Sequence, residues 1–257
     1  MVFGTTLINE VCVLSRFLGC ATWTIIFLIL SIPIEIILFL IGLAFPMARA
    51  KVSQFIVCKA FQINTFIAGT KIIVRGRENI PDNTPVLYVP NHRSIFDIII
   101  TYPLCKGQTG YVAKKETKKF PVFAQWMMLM NCQFLDRKDI RSGLKMINKC
   151  IELVKKGSSI CIFPEGTRNK GTDPLLEFHT GSFKIAEKTE CPIVPVCITY
   201  SNKIFEDQLP KIRPVKVIVE YLPAIETAGL SREDKKALSD KIREDLAAKY
   251  VANMQEE

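Results

Sequence analysis

The sequence of 257 residues has only two histidines, and its nine cysteines form no Cys-x-x-Cys pair. Structural zinc sites rely on such pairs and on closely spaced histidines, so we expect no bound metal. The chain also lacks a Gly-x-Ser-x-Gly segment and a P-loop, which argues against a serine hydrolase and an NTPase. Most cysteines lie in apolar segments, which is typical of small buried side chains in a reducing compartment.

Charge is scarce near the amino terminus, where Glu35 is the only charged residue between Arg16 and Arg49. This stretch of roughly thirty residues is dominated by Ile, Leu and Phe, and a spanning helix needs about 20 such residues. Pro33 interrupts the stretch near its middle and disturbs helical hydrogen bonding. The pattern predicts either one tilted, kinked spanning helix or two short helices that form a hairpin in one leaflet. A helical pair buried in a soluble core is a third alternative.

The charges in and after this stretch bear on these alternatives. A carboxylate in the middle of a bilayer is costly, so Glu35 favours the hairpin. Arg49 and Lys51 follow the stretch, so any span would leave the rest of the chain in the cytoplasm. We therefore expect membrane-associated helices at residues 1–60, on the cytoplasmic face of the inner or plasma membrane, and a separate domain at residues 61–257. The length of the stretch and the absence of a basic start argue against a cleaved signal peptide.

The formal net charge is +9, and all of it lies beyond residue 50. A basic protein can bind nucleic acid, anionic lipid or an acidic carrier protein. The sequence has no zinc finger, recognition-helix pattern or aromatic-rich RNA motif, so we expect no nucleic acid as a partner. Lys114 and Lys115 belong to the densest basic cluster. This cluster is either a solvated surface or a contact for anionic headgroups or an acidic carrier protein.

Beyond residue 70, short β-prone segments alternate with helical ones. Strands are predicted near 71–75, 85–89, 109–113, 132–136, 158–163, 192–199 and 215–221. Helices are predicted near 94–104, 121–130, 139–156 and 180–189. Asp139 is suited to begin the third of these helices and Gly157 to end it. Ser231 with Asp234 begins a final helix by the same logic. We expect a single α/β domain with a mixed, largely parallel sheet, preceded by an N-terminal hydrophobic helical membrane-anchoring region.

The most informative motif is Asn-His-Arg-Ser-Ile-Phe-Asp at residues 91–97, which places His92 in a loop after a strand and Asp97 in the first turn of a helix. A neutral imidazole held by a carboxylate can take a proton from an alcohol near pH 7, so both are candidate catalytic residues. Alternatively, Ser94 and Asp97 form a capping box that only stabilises the helix start, by roughly 1 kcal/mol. His92 would then be an ordinary buried histidine.

The second motif is Phe-Pro-Glu-Gly-Thr-Arg at residues 163–168. It follows a β-prone segment, and α/β folds build their sites at the carboxyl ends of strands. Gly166 permits close approach to the backbone, and Arg168 offers a planar fork of donors suited to a phosphate. Taken alone, the motif also fits an ordinary turn in which Glu165 and Arg168 pair on the surface.

Together, the two motifs resemble the His-x4-Asp and Phe-Pro-Glu-Gly-Thr-Arg signatures of the glycerolipid acyltransferases, in the order typical of that family. The resemblance continues through Tyr-Val-Ala-Lys-Lys-Glu at 111–116, Phe-Leu-Asp-Arg at 134–137 and Val-Pro-Val at 194–196. Asn131 stands where the family usually has glycine. Another departure is Phe-His-Thr-Gly, where the family commonly has Phe-Lys-x-Gly. Its His179 is expected either to be a surface residue at a helix start or to contact the acyl donor.

The resemblance implies a 1-acyl-sn-glycerol-3-phosphate acyltransferase, which makes phosphatidic acid from lysophosphatidic acid at a phospholipid membrane. The co-substrate would be acyl-carrier protein carrying an acyl group, or acyl-CoA, and no cofactor would be needed. His92 would act as the general base on the acceptor hydroxyl, Asp97 would hold its imidazole, and no acyl-enzyme would form. The substrate-binding residues that the resemblance implies surround the acceptor's phosphate: Arg137, Glu165, Gly166, Thr167 and Arg168.

Other functions remain open at this point. Glycerol 3-phosphate or another lysophospholipid could be the acceptor for the same chemistry. A non-catalytic membrane-binding protein is an alternative of a different class, although such a protein would be free to lose His92, Asp97, Glu165 and Arg168. A lipid hydrolase is a third alternative, and the missing nucleophile motif argues against it.

Overall fold

The computed structural model describes residues 2–256, with side chains from residue 12 onward. Three N-terminal helices precede the sheet: α1 (Val2–Leu30), α2 (Ile32–Ala44) and α3 (Pro46–Ala68). The strands are β1 (Lys71–Arg75), β2 (Leu87–Pro90), β3 (Thr109–Lys114), β4 (Gln133–Leu135), β5 (Ser159–Cys161), β6 (Ile193–Thr199) and β7 (Lys216–Tyr221). The remaining helices are α4 (Phe96–Thr101), α5 (Pro121–Leu129), α6 (Ile140–Lys155), α7 (Lys184–Thr189) and α8 (Arg232–Met254).

The strands form one sheet in the order β1-β7-β6-β2-β5-β3-β4. Neighbouring strands are parallel except β6 and β7, which are antiparallel, so the predicted mixed, largely parallel sheet is confirmed. Strand β2 lies between β6 and β5, and all four of its residues are buried. Because β2 and β5 are parallel neighbours, the loops after their carboxyl ends meet at one edge of the sheet. These loops carry the two motifs.

Helices cover both faces of the sheet, and alternate residues of β2 belong to different cores. Tyr88 lies in one core with Trp126 of α5. Leu87 and Val89 lie in the other core with Ile242 of α8. Six of the nine cysteines are buried, as their apolar surroundings in the sequence predict.

Each predicted strand and helix is present, with small differences at the ends. The helix predicted at 94–104 is α4 followed by the 3-10 turn Tyr102–Leu104, because Pro103 has no N–H to continue an α-helix. The carboxylate of Asp139 accepts a hydrogen bond from the N–H of Arg141 at 2.9 Å and begins α6. The hydroxyl of Ser231 similarly accepts from the N–H of Asp234 at 3.1 Å and begins α8.

The interruption expected at Pro33 does not reverse the N-terminal helical segment. The N–H of Ser31 donates to the carbonyl of Phe27, and the N–H of Glu35 donates to the carbonyl of Ser31, both at 2.9 Å. Helical hydrogen bonding therefore continues from α1 into α2. The chain reverses instead at Phe45, between α2 and α3.

Helix α3 returns antiparallel to α1. The indole N–H of Trp23 donates to the carbonyl of Ala60 at 3.0 Å, and a guanidinium N–H of Arg16 donates to the carbonyl of Ile67 at 3.2 Å. The predicted domain boundary at residue 60 falls inside this continuous helix. The division at that residue therefore stays a prediction.

Large apolar side chains on α1 and α2 face outward. Leu30 is 70% exposed and Leu43 is 72% exposed, and most of their apolar neighbours in both helices are similarly accessible. Within the described part of the chain, one stretch, Cys12–Leu30, is long and apolar enough to cross a membrane, by length and composition only. A pair of core helices in a soluble protein would bury these side chains, so their exposure argues against that alternative.

Candidate active site

His92 and Asp97 are in contact at the carboxyl end of β2. Nδ1 of His92 lies 2.9 Å from Oδ2 of Asp97, and the same oxygen accepts hydrogen bonds from the N–H groups of Arg93 at 2.7 Å and Ser94 at 2.8 Å. A proton on Nδ1 can be donated to this buried carboxylate oxygen, and in a neutral imidazole that arrangement leaves the lone pair on Nε2. This is the tautomer that a general base would require.

Asp97 also stabilises the start of α4. Its acceptance of the Ser94 N–H is one half of a capping box. The other half differs, because the Ser94 hydroxyl accepts from the N–H of Phe96 at 3.0 Å. One carboxylate thus serves the helix start and the histidine together, so the two interpretations of this motif are compatible.

The imidazole of His92 packs on an aromatic ring from the second motif. Its centroid lies 4.0 Å from that of Phe163, with an interplanar angle of 25°. The side chain of His92 is 14% exposed, and among residues 12–256 its Nε2 makes no hydrogen bond. The imidazole is therefore confined by Phe163 and Asp97, while Nε2 has no hydrogen-bond partner among the described residues.

Glu165 joins the two motifs from inside the protein. Its Oε1 accepts from the N–H of His92 at 2.7 Å, and its Oε2 accepts from the N–H of Leu176 at 2.9 Å. Burial raises the pKa of this carboxyl, and the two N–H donors oppose that rise. Buried Glu165 thus connects the first motif to the segment at Leu176. The surface pair with Arg168 that an ordinary turn would contain is not formed.

Gly166 occupies a backbone conformation that favours glycine, with a φ of +67°. A Cβ at this position would lie 2.9 Å from both Cδ2 and Nε2 of His179, so that ring packs directly against Gly166. His179 is exposed and precedes the 3-10 turn Thr180–Phe183, which confirms its predicted position at the start of a helical segment. Thr167 is exposed beside Gly166.

Arg168 pairs with a residue that no sequence pattern singled out. Its guanidinium Nη1 lies 2.9 Å from Oε1 of Glu206, in the 3-10 turn Glu206–Gln208 after β6. Glu206 also accepts from the hydroxyl of Ser94 at 2.5 Å and from the N–H of Ile95 at 2.7 Å. Nothing local distinguishes Glu206 from the other acidic residues of the chain, so sequence reasoning could not have found it.

Arg93 is a second residue that the motif analysis passed over. Its guanidinium donates to the carbonyls of Asp173 at 3.0 Å and Gly171 at 2.7 Å, and it lies 5.4 Å from the centre of the Tyr250 ring. The loop after the second motif and helix α8 are therefore held against the first motif. The position of Arg93 directly after His92 is the feature of the sequence that could have drawn attention to it.

The family of this chain follows from comparison with known proteins. A family model described as Acyltransferase matches residues 71–199, just over half of the chain. The chain belongs to the acyltransferase family. It is 34% identical over 197 residues to a 1-acyl-sn-glycerol-3-phosphate acyltransferase of Borreliella burgdorferi, covering 76% of this chain and 78% of that protein.

Other relatives and a solved structure agree with this assignment. A 1-acyl-sn-glycerol-3-phosphate acyltransferase of Cocos nucifera is 33% identical over 223 residues, which cover 86% of this chain and 68% of that protein. The alpha form of Homo sapiens is 26% identical over 215 residues, covering 82% of this chain and 76% of that protein. The crystal structure of the acyltransferase PlsC from Thermotoga maritima superposes with a TM-score of 0.80 and 23% identity, over 96% of this chain and 98% of that one. The structural likeness concerns the fold.

In this acyltransferase, Arg137 and the two candidate lysines lie apart from His92. Lys114 is the last residue of β3, Lys115 follows it, and Arg137 lies just after β4. Strand β4 is three strand positions from β2, or ~14 Å at ~4.8 Å per strand. Nζ of Lys115 lies 2.9 Å from Oδ2 of Asp136, and Nζ of Lys114 is 3.7 Å from a Glu116 carboxylate oxygen. Arg137 is exposed and, among residues 12–256, makes no hydrogen bond or ion pair.

The candidate residues thus fall into two groups along one edge of the sheet. Those that the structure connects by direct contacts or shared partners are His92, Asp97, Glu165, Gly166 and Arg168. Those with exposed side chains that make no hydrogen bond or ion pair to this group, among the described residues, are Thr167, Arg137, Lys114 and Lys115. The catalytic and binding roles of both groups stay predictions.

Asn131 takes a positive φ of 63°, the conformation for which a glycine is usually required. Asparagine tolerates this conformation better than most residues. Its side chain also accepts from a guanidinium N–H of Arg49 at 2.7 Å. The departure from the family pattern therefore preserves the backbone path that leads into β4.

Cys161, two residues before Phe163, is the cysteine at the end of β5. It is buried, and burial raises its pKa well above the ordinary value for a thiol. A protonated, buried thiol is a poor nucleophile, which fits direct acyl transfer better than an acyl-enzyme. Within residues 12–256, no three His, Cys, Asp or Glu side chains are grouped so as to hold a metal ion.

Proposed function

We propose that this acyltransferase transfers a fatty acyl group from a thioester to the sn-2 hydroxyl of 1-acylglycerol 3-phosphate and so makes phosphatidic acid. Relatives that carry this activity in their names are 26–34% identical to the chain across most of their length. The observation that carries the proposal is the contact between His92 and buried Asp97 beside the exposed guanidinium of Arg168. One loop supplies a base for a hydroxyl and the neighbouring loop supplies a cation for a phosphate.

The reaction begins with removal of the acceptor's hydroxyl proton by Nε2 of His92. The oxygen attacks the thioester carbonyl, and the resulting tetrahedral oxyanion collapses with expulsion of the thiolate. The imidazolium then returns its proton to the thiolate, so the products are phosphatidic acid and a free thiol. Asp97 stabilises the imidazolium while it exists, and no bond forms between the acyl group and the protein.

We assign Arg168 as the residue that binds the acceptor's phosphate. Its side chain is 42% exposed, and among the described residues Glu206 contacts only Nη1, which leaves Nη2 and Nε for a ligand. A phosphate can accept from both of these nitrogens in a fork geometry. Arg137 is assigned as a second cation on the same edge of the sheet. Gly166 and Thr167 line the approach between the base and Arg168, and buried Glu165 holds the loop in place.

The donor is assigned as an acyl-carrier protein thioester or acyl-CoA. Lys114 and Lys115 lie at the carboxyl end of β3, on the same edge as His92. An acidic carrier protein and the phosphates of coenzyme A are both attracted to exposed lysines. Exchanging these two lysines for glutamate is expected to raise KM for the donor and to leave KM for the acceptor unchanged.

A phospholipid membrane is proposed as the surface on which the enzyme works. The exposed apolar side chains of α1 and α2 support this, because a bilayer would bury them. Arg49 and Lys51 follow these helices and favour a cytoplasmic position for the catalytic domain. Acceptor and product are both lipids, so a membrane-bound site meets them where they reside.

The decisive experiment measures acyl transfer by the full chain purified in detergent. Acyl-carrier protein and CoA thioesters are each offered with lysophosphatidic acid, glycerol 3-phosphate or lysophosphatidylcholine. Phosphatidic acid formed from lysophosphatidic acid, and lost in His92→Ala, is the expected result. Product from another acceptor would keep the mechanism and change the substrate. A folded enzyme that is inactive with all pairs would instead favour a non-catalytic membrane protein.

The same assay separates the two arginines. Arg168→Ala and Arg137→Ala are each expected to raise KM for lysophosphatidic acid by about 10-fold, with a smaller effect on kcat. Arg141→Ala is the control, because Arg141 is also an exposed arginine. Its hydrogen bond to Asp139 uses the backbone N–H, which the substitution keeps. An arginine whose removal leaves KM for the acceptor unchanged does not bind the phosphate.

A further inference from the structure

Glu206 stands where the first motif, the second motif and the segment after β6 meet. Its Oε2 accepts from the Ser94 hydroxyl at 2.5 Å, and its Oε1 accepts from the Ile95 N–H at 2.7 Å and from Arg168 at 2.9 Å. The side chain of Glu206 is 13% exposed, whereas that of Arg168 is 42% exposed. A largely buried carboxylate with three donors therefore holds a guanidinium that otherwise faces solvent.

The contacts of Glu206 link Arg168 to the catalytic base. The residues that anchor Glu206, Ser94 and Ile95, lie two and three positions after His92. The N–H of Ser94 also donates to Asp97, the partner of the imidazole. Arg168 thus pairs with the carboxylate of Glu206, and His92 contacts the carboxylate of Asp97. Ser94 donates a hydrogen bond to each of these two carboxylates and so connects them.

This connection limits the freedom of Arg168. A free arginine side chain populates many rotamers, and fixing it in one of them costs conformational entropy. The bond to Glu206 fixes one edge of the guanidinium before any ligand binds. Nη2 and Nε make no hydrogen bond among the described residues and remain available to a phosphate. A preorganised cation binds its ligand more tightly than a mobile one does.

We infer that Glu206 is a positioning residue for the acceptor's phosphate: it holds the guanidinium of Arg168 in place before the acceptor binds, with Nη2 and Nε left to bind that phosphate. This inference rests on the proposed function, in which Arg168 binds that phosphate. Glu206 itself touches no reacting atom. Its effect is transmitted entirely through Arg168.

The amide variant separates the shape of Glu206 from its charge. In Glu206→Gln, an oxygen at the Oε1 position still accepts from Ile95 and Arg168. The amide nitrogen then meets the Ser94 hydroxyl, which can rotate to accept. Glu206→Ala removes all three contacts and leaves Arg168 unanchored. The positioning role therefore predicts that glutamine substitutes for glutamate and alanine does not.

The experiment measures steady-state acyl transfer by the full chain in detergent, first with varied lysophosphatidic acid at saturating acyl thioester and then with varied acyl thioester at saturating lysophosphatidic acid. The variants are Glu206→Ala, Glu206→Gln, Arg168→Ala and the Glu206→Ala/Arg168→Ala double variant. Asp207→Asn is the matched control, because Asp207 is the next residue and pairs with Asn202 instead of Arg168. Thermal unfolding of each variant is recorded, and Glu206→Asp, which keeps the charge on a shorter side chain, replaces Glu206→Ala if the alanine variant fails to fold.

The expected result is a KM for lysophosphatidic acid about 10-fold higher in Glu206→Ala, with kcat changed by less than about 3-fold. Glu206→Gln restores most of the wild-type KM, and KM for the acyl thioester stays unchanged. Because Glu206 acts through Arg168, the double variant has the same KM as Arg168→Ala alone. Asp207→Asn behaves as the wild type.

Each contrary result of this experiment overturns a different part of the proposal. No phosphatidic acid from the wild type overturns the proposed function, and an unchanged KM in Arg168→Ala overturns the phosphate role of Arg168 and the inference built on it. If Arg168→Ala raises KM but Glu206→Ala does not, only the role of Glu206 is overturned. Additive effects in the double variant, or a loss confined to kcat, would also overturn it, because they would place Glu206 outside the path through Arg168.

Discussion

Nδ1 of His92 lies 2.9 Å from Oδ2 of Asp97, an oxygen on which two backbone N–H groups also converge. Oδ1 of the same carboxylate is buried and has no hydrogen-bond partner among the described residues. One oxygen therefore sets the orientation of the whole carboxylate before the imidazole becomes charged. Preorganisation of this kind reduces the rearrangement needed when charge develops during the reaction.

Removal of the imidazole is expected to abolish the general base. His92→Ala should lower kcat by about 10²–10⁴-fold or more, because no other group takes the hydroxyl proton. The acyl-transfer assay measures kcat, and thermal unfolding checks that the fold is retained. A folded variant with normal turnover would end the general-base assignment.

Removal of the charge of Asp97 tests how far catalysis depends on the carboxylate. Asp97→Asn should lower kcat by about 10²–10⁴-fold, because the amide no longer stabilises an imidazolium. Asp173→Asn is the matched control, since only the backbone carbonyl of Asp173 contacts other groups around the site. If both asparagine variants retained wild-type turnover, Asp97 would be only a helix-start residue, as the capping interpretation holds.

A side chain at Gly166 is expected to strain the backbone and crowd His179. Gly166→Ala should lower Tm by about 2–10 °C, since a positive φ costs a residue with a Cβ about 1–3 kcal/mol. Adding His179→Ala should recover part of the loss, because it removes the ring atoms 2.9 Å from the new Cβ. The backbone strain itself would persist in the double variant. Equal Tm values for the single and double variants would show that the crowding is unimportant.

The raised pKa of buried Glu165 predicts a pH dependence of stability. A carboxyl with a higher pKa in the folded than in the unfolded state binds its proton more tightly when folded. Its contribution is therefore fully present below the unfolded-state pKa and is lost as the pH rises through the folded-state pKa. Stability should fall over the range that begins near the ordinary glutamate value of about 4.3 and extends upward.

Glu165→Gln removes this titration and serves as the comparison. The Tm of the wild type minus that of Glu165→Gln should decrease as the pH rises from about 4. Glu177→Gln is the control, because Glu177 is exposed and forms only a surface pair with Arg243. If the Tm of the wild type minus that of Glu165→Gln stayed constant or grew with pH, the result would contradict the raised pKa of Glu165.

Local features of this protein could be predicted because neighbours in the chain decide them. The spacing of His92 and Asp97, the helix start at Asp139 and the end at Gly157 depend on a few consecutive residues. The alternation of apolar segments likewise predicted each strand and helix with small differences at the ends. The apolar N-terminal stretch could be recognised from composition alone.

The sequence by itself thus determined the strands and helices, the two motifs and the spacing that lets His92 and Asp97 meet. Only the tertiary structure decided that β2 lies beside β5, which brings Phe163 to the His92 ring, and that the N-terminal helices reverse at Phe45. It also paired Arg168 with Glu206, 38 residues farther along the chain. The physical reason is that such contacts depend on how distant segments pack and on strand order, which no local pattern of residues specifies.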